Sequence, residues 1–476
     1  MSEAEREARQ GLVVMARHPE AGRCKTRLIP RLGPDGAAAM HADLARHTLQ
    51  WARQVRAPDT AVEVHFTGGS AAAMAEIFGA DLDWVPQSDG DLGDRLKAVV
   101  YRAAARGWRR LLIVGTDCPE LSAAHAEAAW AALDHHHIVL QPATDGGYVL
   151  LGLRLPTDGS AGAAAVGRGG DSVGAAGDDD TLFDLEQVCQ RLFVSVDWGT
   201  DRVLEQTIVR LAELPGLRLR LMAPLNDVDY PEDLPVWDRV QAGGSSPPPA
   251  LAVIIPVYGH EPDLPAVLDS AAAESDVEII VVGAEAMPEA VLTCARQGAQ
   301  FIAGRANRGR QLNCGAKAAT AARLLFLHAD TRLPTGYASW VIRELDRPEV
   351  TIGAFALRID SPRWAARLVE LGVALRSRLF QLPYGDQALF CRKRDFQRLG
   401  GFRELPLMED FEFIHRARRM GRISVLHQPV TTSPRRWHRL GFLRTTWLNQ
   451  AIVLAYRCGV SPERLARWYR GPERGR

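Results

Sequence analysis

The chain has 476 residues, 47% of them hydrophobic and 24% charged, with a formal net charge of zero. That length predicts two to three domains, each able to bury its own core. No run reaches the ~18–20 apolar residues that a membrane span needs, so a transmembrane segment is excluded.

In chain order, GLVVMARHP (11–19) reads as a first strand, 44–55 as helix, 62–67 as strand, 92–106 as helix and 111–114 as strand. The segment 157–180, rich in Gly, Ala and Asp, is low in complexity and is expected to be a disordered insert. AGGSSPPP (242–249) has the composition of a linker. LAVIIPVYG (251–259) then opens a second series: helix at 264–273, strand at 277–282, helix at 311–322 and strand at 324–327. Strands alternating with helices at this spacing predict α/β folding with doubly wound, mostly parallel sheets. The expected domains are 11–240 and 250–476, joined by a linker at 241–249.

Two stretches repeat one pattern. RLLIVGTDCPEL (110–121) and RLLFLHADTRLP (323–334) are apolar runs that end in a single acid, Asp117 or Asp330. Such runs suit buried parallel strands, and ligands of open α/β sheets bind beyond the carboxyl ends of the strands. A carboxylate there can hold a divalent cation against a diphosphate, because hard cations take oxygen ligands. An Asp in this position also serves as a helix cap or turn residue.

In the first half, ARHPEAGRCKTRL (16–28) places Gly22, Arg23, Lys25 and Arg27 after the first strand. Flexible backbone N–H groups with cations are what a nucleotide phosphate requires. Lysine is scarce, four against 53 arginines, so Lys25 stands out. QPATDGGYVLLGL (141–153) offers Asp145 for a sugar or metal, and Gly146-Gly147 for close backbone approach to a ligand. NDVDYPEDL (226–234) adds Asp227 and Asp229 as further metal ligands. Together these motifs resemble an uncharacterised bacterial transferase family related to molybdenum-cofactor and phospholactate nucleotidyltransferases. The resemblance spans roughly 11–240 and implies a GT-A-like fold; from their own positions, Asp117 and Asp229 are the residues expected to hold metal.

In the second half, VIIPVYG, GRANRGRQLNCGAKAA (304–319), the HAD strand end, PYGDQALFCRK (383–393), GGFRELPLMEDFEF (400–413) and SPRRWHRLG (433–441) occur in that order. This order resembles glycosyltransferase family 2, most closely its arsenosugar-biosynthesis-type branch. The resemblance implies a second GT-A-like domain in which Asp330 holds Mg²⁺ or Mn²⁺ on a nucleotide diphospho-sugar. It implies Asp410 as the general base of an inverting transfer, with Pro256, Arg305, Asp386, Gln387, Glu409, Arg435 and Arg436 binding substrate. The pattern departs from the family at Gly283 and Ala284, where an acid is usual, and at His328, which replaces the first acid of D-x-D.

The charge is divided unevenly. Residues 1–240 carry 24 Lys and Arg against 35 Asp and Glu, and residues 241–476 carry 33 against 22. A basic second half suits an anionic substrate, a partner or a membrane surface, and attraction between the halves explains it as simply. No nucleic-acid-binding motif accompanies the charge, so no nucleic-acid partner is expected. Seven cysteines with no C-x-x-C pair argue for reduced thiols and a cytoplasmic setting. The polar start MSEAEREARQ carries no secretory signal. Segment 447–460, interrupted by Asn449, Gln450 and Arg457, reads as a core helix or as one lying on a membrane surface.

The expectation is a bifunctional glycosyltransferase. Its second domain transfers a sugar, with inversion, to a hydroxyl on a small-molecule or lipid-linked acceptor. Its first is a nucleotidyl- or glycosyltransferase of the same pathway. The alternatives are a peripheral membrane enzyme with a lipid acceptor, or one half acting as a non-catalytic nucleotide-binding module.

Overall fold

The computed structural model describes residues 10–156, 184–244, 248–284, 287–435, 437 and 441–470. The expected insert at 157–180 and the middle of the expected linker, 245–247, lie outside the described residues. The chain divides into two compact units, Met1–Ser246 and Pro247–Arg476.

The described strands of the first unit are β1 (Gln10–Arg17), β2 (Thr60–Thr67), β3 (Asp83–Pro86), β4 (Arg110–Val114), β5 (Ile138–Pro142), β6 (Tyr148–Arg154) and β7 (Leu219–Leu221). They lie in the order β7-β5-β6-β4-β1-β2-β3. β4, β1, β2 and β3 run parallel, β6 is antiparallel to β4 and β5, and β7 is parallel to β5. β1 and β4 are buried on both faces, with Leu12, Val13, Leu111 and Leu112 at or below 1% exposure. That is why these segments read as continuous apolar runs and not as alternating ones.

The second unit repeats the plan. Its described strands are β8 (Leu251–Val257), β9 (Val277–Ala284), β10 (Gln300–Gly304), β11 (Arg323–Phe326), β12 (Thr331–Arg332), β13 (Val350–Ile359), β14 (Leu389–Arg392) and β15 (Arg422–Thr432). The order is β12-β15-β13-β14-β11-β8-β9-β10. β11, β8, β9 and β10 are parallel, and β14 runs antiparallel beside β11 as β6 does beside β4. The repeated sequence pattern is therefore a repeated position, since β4 and β11 each lie between a first strand and an antiparallel neighbour. The mostly parallel α/β architecture expected from the strand–helix alternation is the one found.

Local contacts set where the site-bearing strands end. The Glu278 carboxylate accepts the backbone N–H groups of Thr320 and Ala321, at 2.7 and 2.6 Å, which fixes the entry into β11. In the first unit, Glu63 is 1% exposed and is held by Arg102, Arg106 and His65. This ties the helix Leu92–Ala105 to β2, and the helix begins at a capping box made by Asp91 and Asp94.

Each unit has its own set of paired strands and its own buried apolar cluster, so each is expected to fold alone. Expressed separately, 1–246 and 247–476 should give two soluble fragments, each with a cooperative melt. Insoluble fragments from a soluble parent would count against independent folding.

Candidate functional site

In the first unit, the chain leaves β1 through a loop in which Lys25 takes a left-handed conformation, φ 45° and ψ 45°. Its side chain is 5% exposed and reaches Asp117 Oδ1 and Asp229 Oδ1, both at 2.7 Å. It also donates to the Val228 carbonyl at 2.7 Å. Asp117 follows β4 and Asp229 follows β7, so one ammonium joins the ends of three strands. The Val228 N–H donates to the Asp117 carbonyl at 2.9 Å and closes the same junction. Burial alone would raise the Asp117 carboxyl, but the charge and hydrogen bond of Lys25 outweigh it and hold the group below its usual range. Burial likewise opposes the Lys25 charge, and the two carboxylates keep the ammonium above its usual range.

This overturns part of the sequence reading. Asp117 and Asp229 were expected to hold a metal ion. A divalent cation on both of those oxygens would sit against the Lys25 ammonium, and like charges at that separation repel strongly. The pair as arranged does not fit a cation. Among the described residues, no group of three or more His, Cys, Asp and Glu side chains could hold a metal ion.

Beside this cluster opens a cleft of about 660 Å³. Its lining is mixed, with the charged Arg17, Lys25, Arg27, Asp117, Asp145 and Asp229 and the apolar Leu92, Leu96, Tyr148 and Trp198. Arg27 lies 3.4 Å from Asp229 and stacks over the Tyr230 ring. Asp145 accepts the Gly147 N–H at 2.9 Å, so that Gly147 lines the cleft. Asp227 is pushed up to about 7, by burial first and then by the charges of Asp145 and Asp229.

Three other residues behave differently from expectation. Gly146, with φ 93°, does let the backbone approach closely, but what it approaches is the backbone of Asp201. Gly22 and Arg23 are exposed and do not line the cleft, and Arg23 pairs with Glu20 at 3.2 Å.

In the second unit, the ends of β8 and β11 bring three acids together. Asp330 follows β11, while Glu261 and Asp263 follow β8. Burial lifts the Asp330 carboxyl above its usual range and the charge of Asp263 adds to this, against the Thr331 hydroxyl and Arg435. Glu261 is lifted in the same way, by burial and then by Asp330. Arg435 is the counter-ion, at 2.7 Å from Asp263 and 3.7 Å from Glu261. Glu261 and Asp263 were missed in the sequence. The signal was there, since both lie just past the carboxyl end of the first strand of the unit.

A second group surrounds Gly385. A Cβ built there would meet Arg308, Asp410 and His328 at 2.6, 3.0 and 3.1 Å. Asp410 accepts the N–H groups of Gly385 and Phe411, at 2.8 and 2.7 Å, which fixes its carboxylate at the start of the helix Glu409–Ala417. Arg308 is hydrogen-bonded to His328 and lies 2.9 Å from Glu409. Burial lifts the Glu409 carboxyl and Asp410 adds to this, with Arg308 pulling the other way. Two non-glycine residues with positive φ flank these motifs, Ala388 at 47° and Met408 at 74°. Strain of this kind concentrates at functional sites.

Asp386 is half-buried in the Gly385–Gln387 turn. Gln387 was expected to face substrate but is fully buried. Its amide donates to the Phe355 carbonyl at 2.9 Å and accepts from Ser377 and Arg376. It holds the turn from behind. Pro256 is half-buried in β8 and Arg305 is exposed after β10. Arg436 lies outside the described residues.

Residues 48–164 match a family model described as an uncharacterized protein conserved in bacteria (DUF2064). Residues 252–397 match the model of glycosyl transferase family 2. The chain is a glycosyltransferase-class enzyme. Among solved structures, it is similar to a protein of Desulfovibrio desulfuricans G20 assigned to the nucleotide-diphospho-sugar transferases. That likeness has 23% identity and a TM-score of 0.41, over 50% of this chain and 90% of that one. The mannosyltransferase PcManGT of Pyrobaculum calidifontis, solved with GDP-Man and Mn²⁺, gives 18% and 0.35, over 49% and 75%. S. aureus TarS 1-349, solved with UDP-GlcNAc, gives 17% and 0.31, over 38% and 58%. No curated protein matches the chain.

Lys25→Met should destabilise the first unit. It leaves two neighbouring carboxylates without their cation, at a cost of roughly 1–3 kcal/mol given that both keep some solvent access. The Asp117 carboxyl is depressed in the folded state, so this stability is present above the ordinary Asp value near ~4 and is lost as pH falls through the folded value. Thermal melts should therefore separate parent and variant at neutral pH and converge in acid. Equal melts at neutral pH would remove Lys25 from its structural role.

Proposed function

We propose that the second unit transfers a sugar from a nucleotide diphospho-sugar to an acceptor hydroxyl, with inversion at the anomeric carbon. The observation that supports this best is the pair of acidic groups at one sheet end. Asp410 is aimed by two backbone N–H groups, and Asp330 stands in a cluster with surplus negative charge.

Asp410 takes the proton from the acceptor hydroxyl as that oxygen attacks the anomeric carbon. The bond from that carbon to the diphosphate oxygen breaks, and its electron pair leaves with the diphosphate. A single displacement of this kind inverts the centre. Arg308 holds His328 and Glu409 beside the base, and Gln387 braces the turn that carries Gly385.

Asp330, a buried carboxylate at the end of β11, suits Mg²⁺ or Mn²⁺ shared with a donor diphosphate. Magnesium is commonly held by one or two carboxylates together with substrate phosphates, so Asp330 is the residue to anchor it. Such an ion would neutralise charge developing on the leaving diphosphate. Arg435, now on Asp263 and Glu261, is placed to turn toward that diphosphate.

In the first unit, the cleft is lined by the arginines Arg17 and Arg27 and by the aromatic Tyr148 and Trp198, groups that suit the phosphates and base of a nucleotide. This supports a bifunctional chain whose first unit is a nucleotidyl- or glycosyltransferase of the same pathway, as the family match over 48–164 accommodates.

Asp330→Ala should abolish metal-dependent donor binding. If calorimetry finds equal donor affinity with Mn²⁺ and with EDTA, the anchor assignment fails. Asp410→Asn should leave donor binding nearly intact and lower transfer by roughly 10²–10⁴-fold, the usual range for a lost general base. An asparagine still accepts one of the two N–H groups, so the melt should move little. Near-parental turnover would sink the assignment.

A further inference from the structure

The helix Trp364–Leu379 is turned inside out. Its buried positions are small, Ala366 and Ser377. Its large apolar residues face outward: Trp364, Leu368, Leu371, Leu375 and Leu379, with Phe380 next, are between 55% and 74% exposed. The spacing of four, three, four and four places the first five on a single stripe of the helix. A face of this kind on a soluble surface marks an interaction site.

The rim of the stripe is cationic. Arg363, Arg367 and Arg378 are exposed beside it, and no acidic residue is exposed between 363 and 380. Glu370, the one carboxylate of the helix, is half-buried and turned to Arg367 and the Ile359 N–H. The helix Phe442–Arg457 packs beside it and exposes Trp447 and Leu454, seven residues apart on one face, together with Arg457. Tryptophan and leucine outward with arginine at the edge is the pattern of a helix lying in a lipid interface. No described helix is long and apolar enough to cross a membrane.

A second copy of the chain is a poorer occupant. A two-fold interface sets the same patch against itself, and without an exposed acid on this helix it would bring arginines toward arginines. Anionic lipid meets both features, taking the apolar side chains into the interface and the guanidinium groups at its phosphates.

We propose that the second unit docks on an anionic membrane surface through the apolar face of Trp364–Leu379. The helix leads along the chain into the candidate site. The helix runs into the segment that carries Tyr384, whose ring lies 3.4 Å under Arg376, and then Gly385, which donates to Asp410. Docking would therefore set the Asp410 end of the site near the lipid surface. The inference stands on the exposed face and not on the sugar-transfer reading.

The test is flotation of the full chain with vesicles of phosphatidylcholine alone or of phosphatidylcholine with phosphatidylglycerol. The expected result is flotation with the anionic vesicles, weaker with the neutral ones and reduced by salt. The double variant Leu371→Gln, Leu375→Gln should keep the parental melt, because both side chains are already exposed, and should partition roughly tenfold more weakly or worse. Trp364→Gln provides a second, independent variant. A chain that stays unbound with anionic vesicles overturns the proposal, as does a well-folded double variant that floats like the parent. Sedimentation that finds a dimer dissolved by the same substitutions, without flotation, assigns the face to a second copy and also overturns it.

Discussion

An ammonium group has three N–H donors, and the first unit gives the one on Lys25 three acceptors: a carboxylate from the loop after β4, another from the loop after β7, and the Val228 carbonyl. Parallel strands deliver their acids to one end of a sheet, where carboxylates repel. A cation must be brought to them, or one of them must stay protonated. Lys25 does the first for Asp117 and Asp229, while the carboxyl of Asp227 is pushed up to about 7 by burial and by Asp145 and Asp229, with Lys25 pulling only weakly the other way. The second unit meets the same constraint with Arg435 against Asp263 and Glu261, and with Arg308 against Glu409. Each candidate site is in this sense a solution to crowding of like charge.

The strands were legible because a parallel strand buried on both faces leaves a continuous apolar run, and β1, β4, β8 and β11 are such runs. The repeat at 110–121 and 323–334 was legible for the same reason, since the acid follows where the run stops. Lys25 was singled out by its rarity, four lysines among 53 arginines, but its pairing with two distant acids was not foreseen. A lysine in a glycine-bearing loop looks solvent-facing, and only the fold brings Asp229, some 204 residues away, to its side chain. A planar guanidinium cannot aim its donors at three acceptors arranged around a point, which gives the choice of lysine at position 25 a physical cause.

What stayed hidden was whatever depends on direction. Glu261 and Asp263 sit in YGHEPD, which reads as a polar turn until β8 and β11 are paired and their loops meet. Gln387 carries a polar side chain in a motif with chemistry on either side, yet it turns inward because the Phe355 carbonyl needs a donor there. Gly146 announces a close approach without saying to what. The leucines of Trp364–Leu379 follow a helical period that ordinarily marks a core face, and here that face points out.

The left-handed residues Met408 and Ala388 bear on the stability of the site itself. A side chain at positive φ costs of order 1 kcal/mol or more over a relaxed backbone, and here that cost falls on the two short segments that carry Asp410 and Gly385. The strands β11 and β14 beside them have no such debit and are paired with each other along their length. Local opening would therefore begin at these segments, so their backbone amides would exchange with solvent ahead of those in β11 and β14. The parts of the second unit closest to chemistry would then be the first to loosen, while the sheet that positions them stays closed.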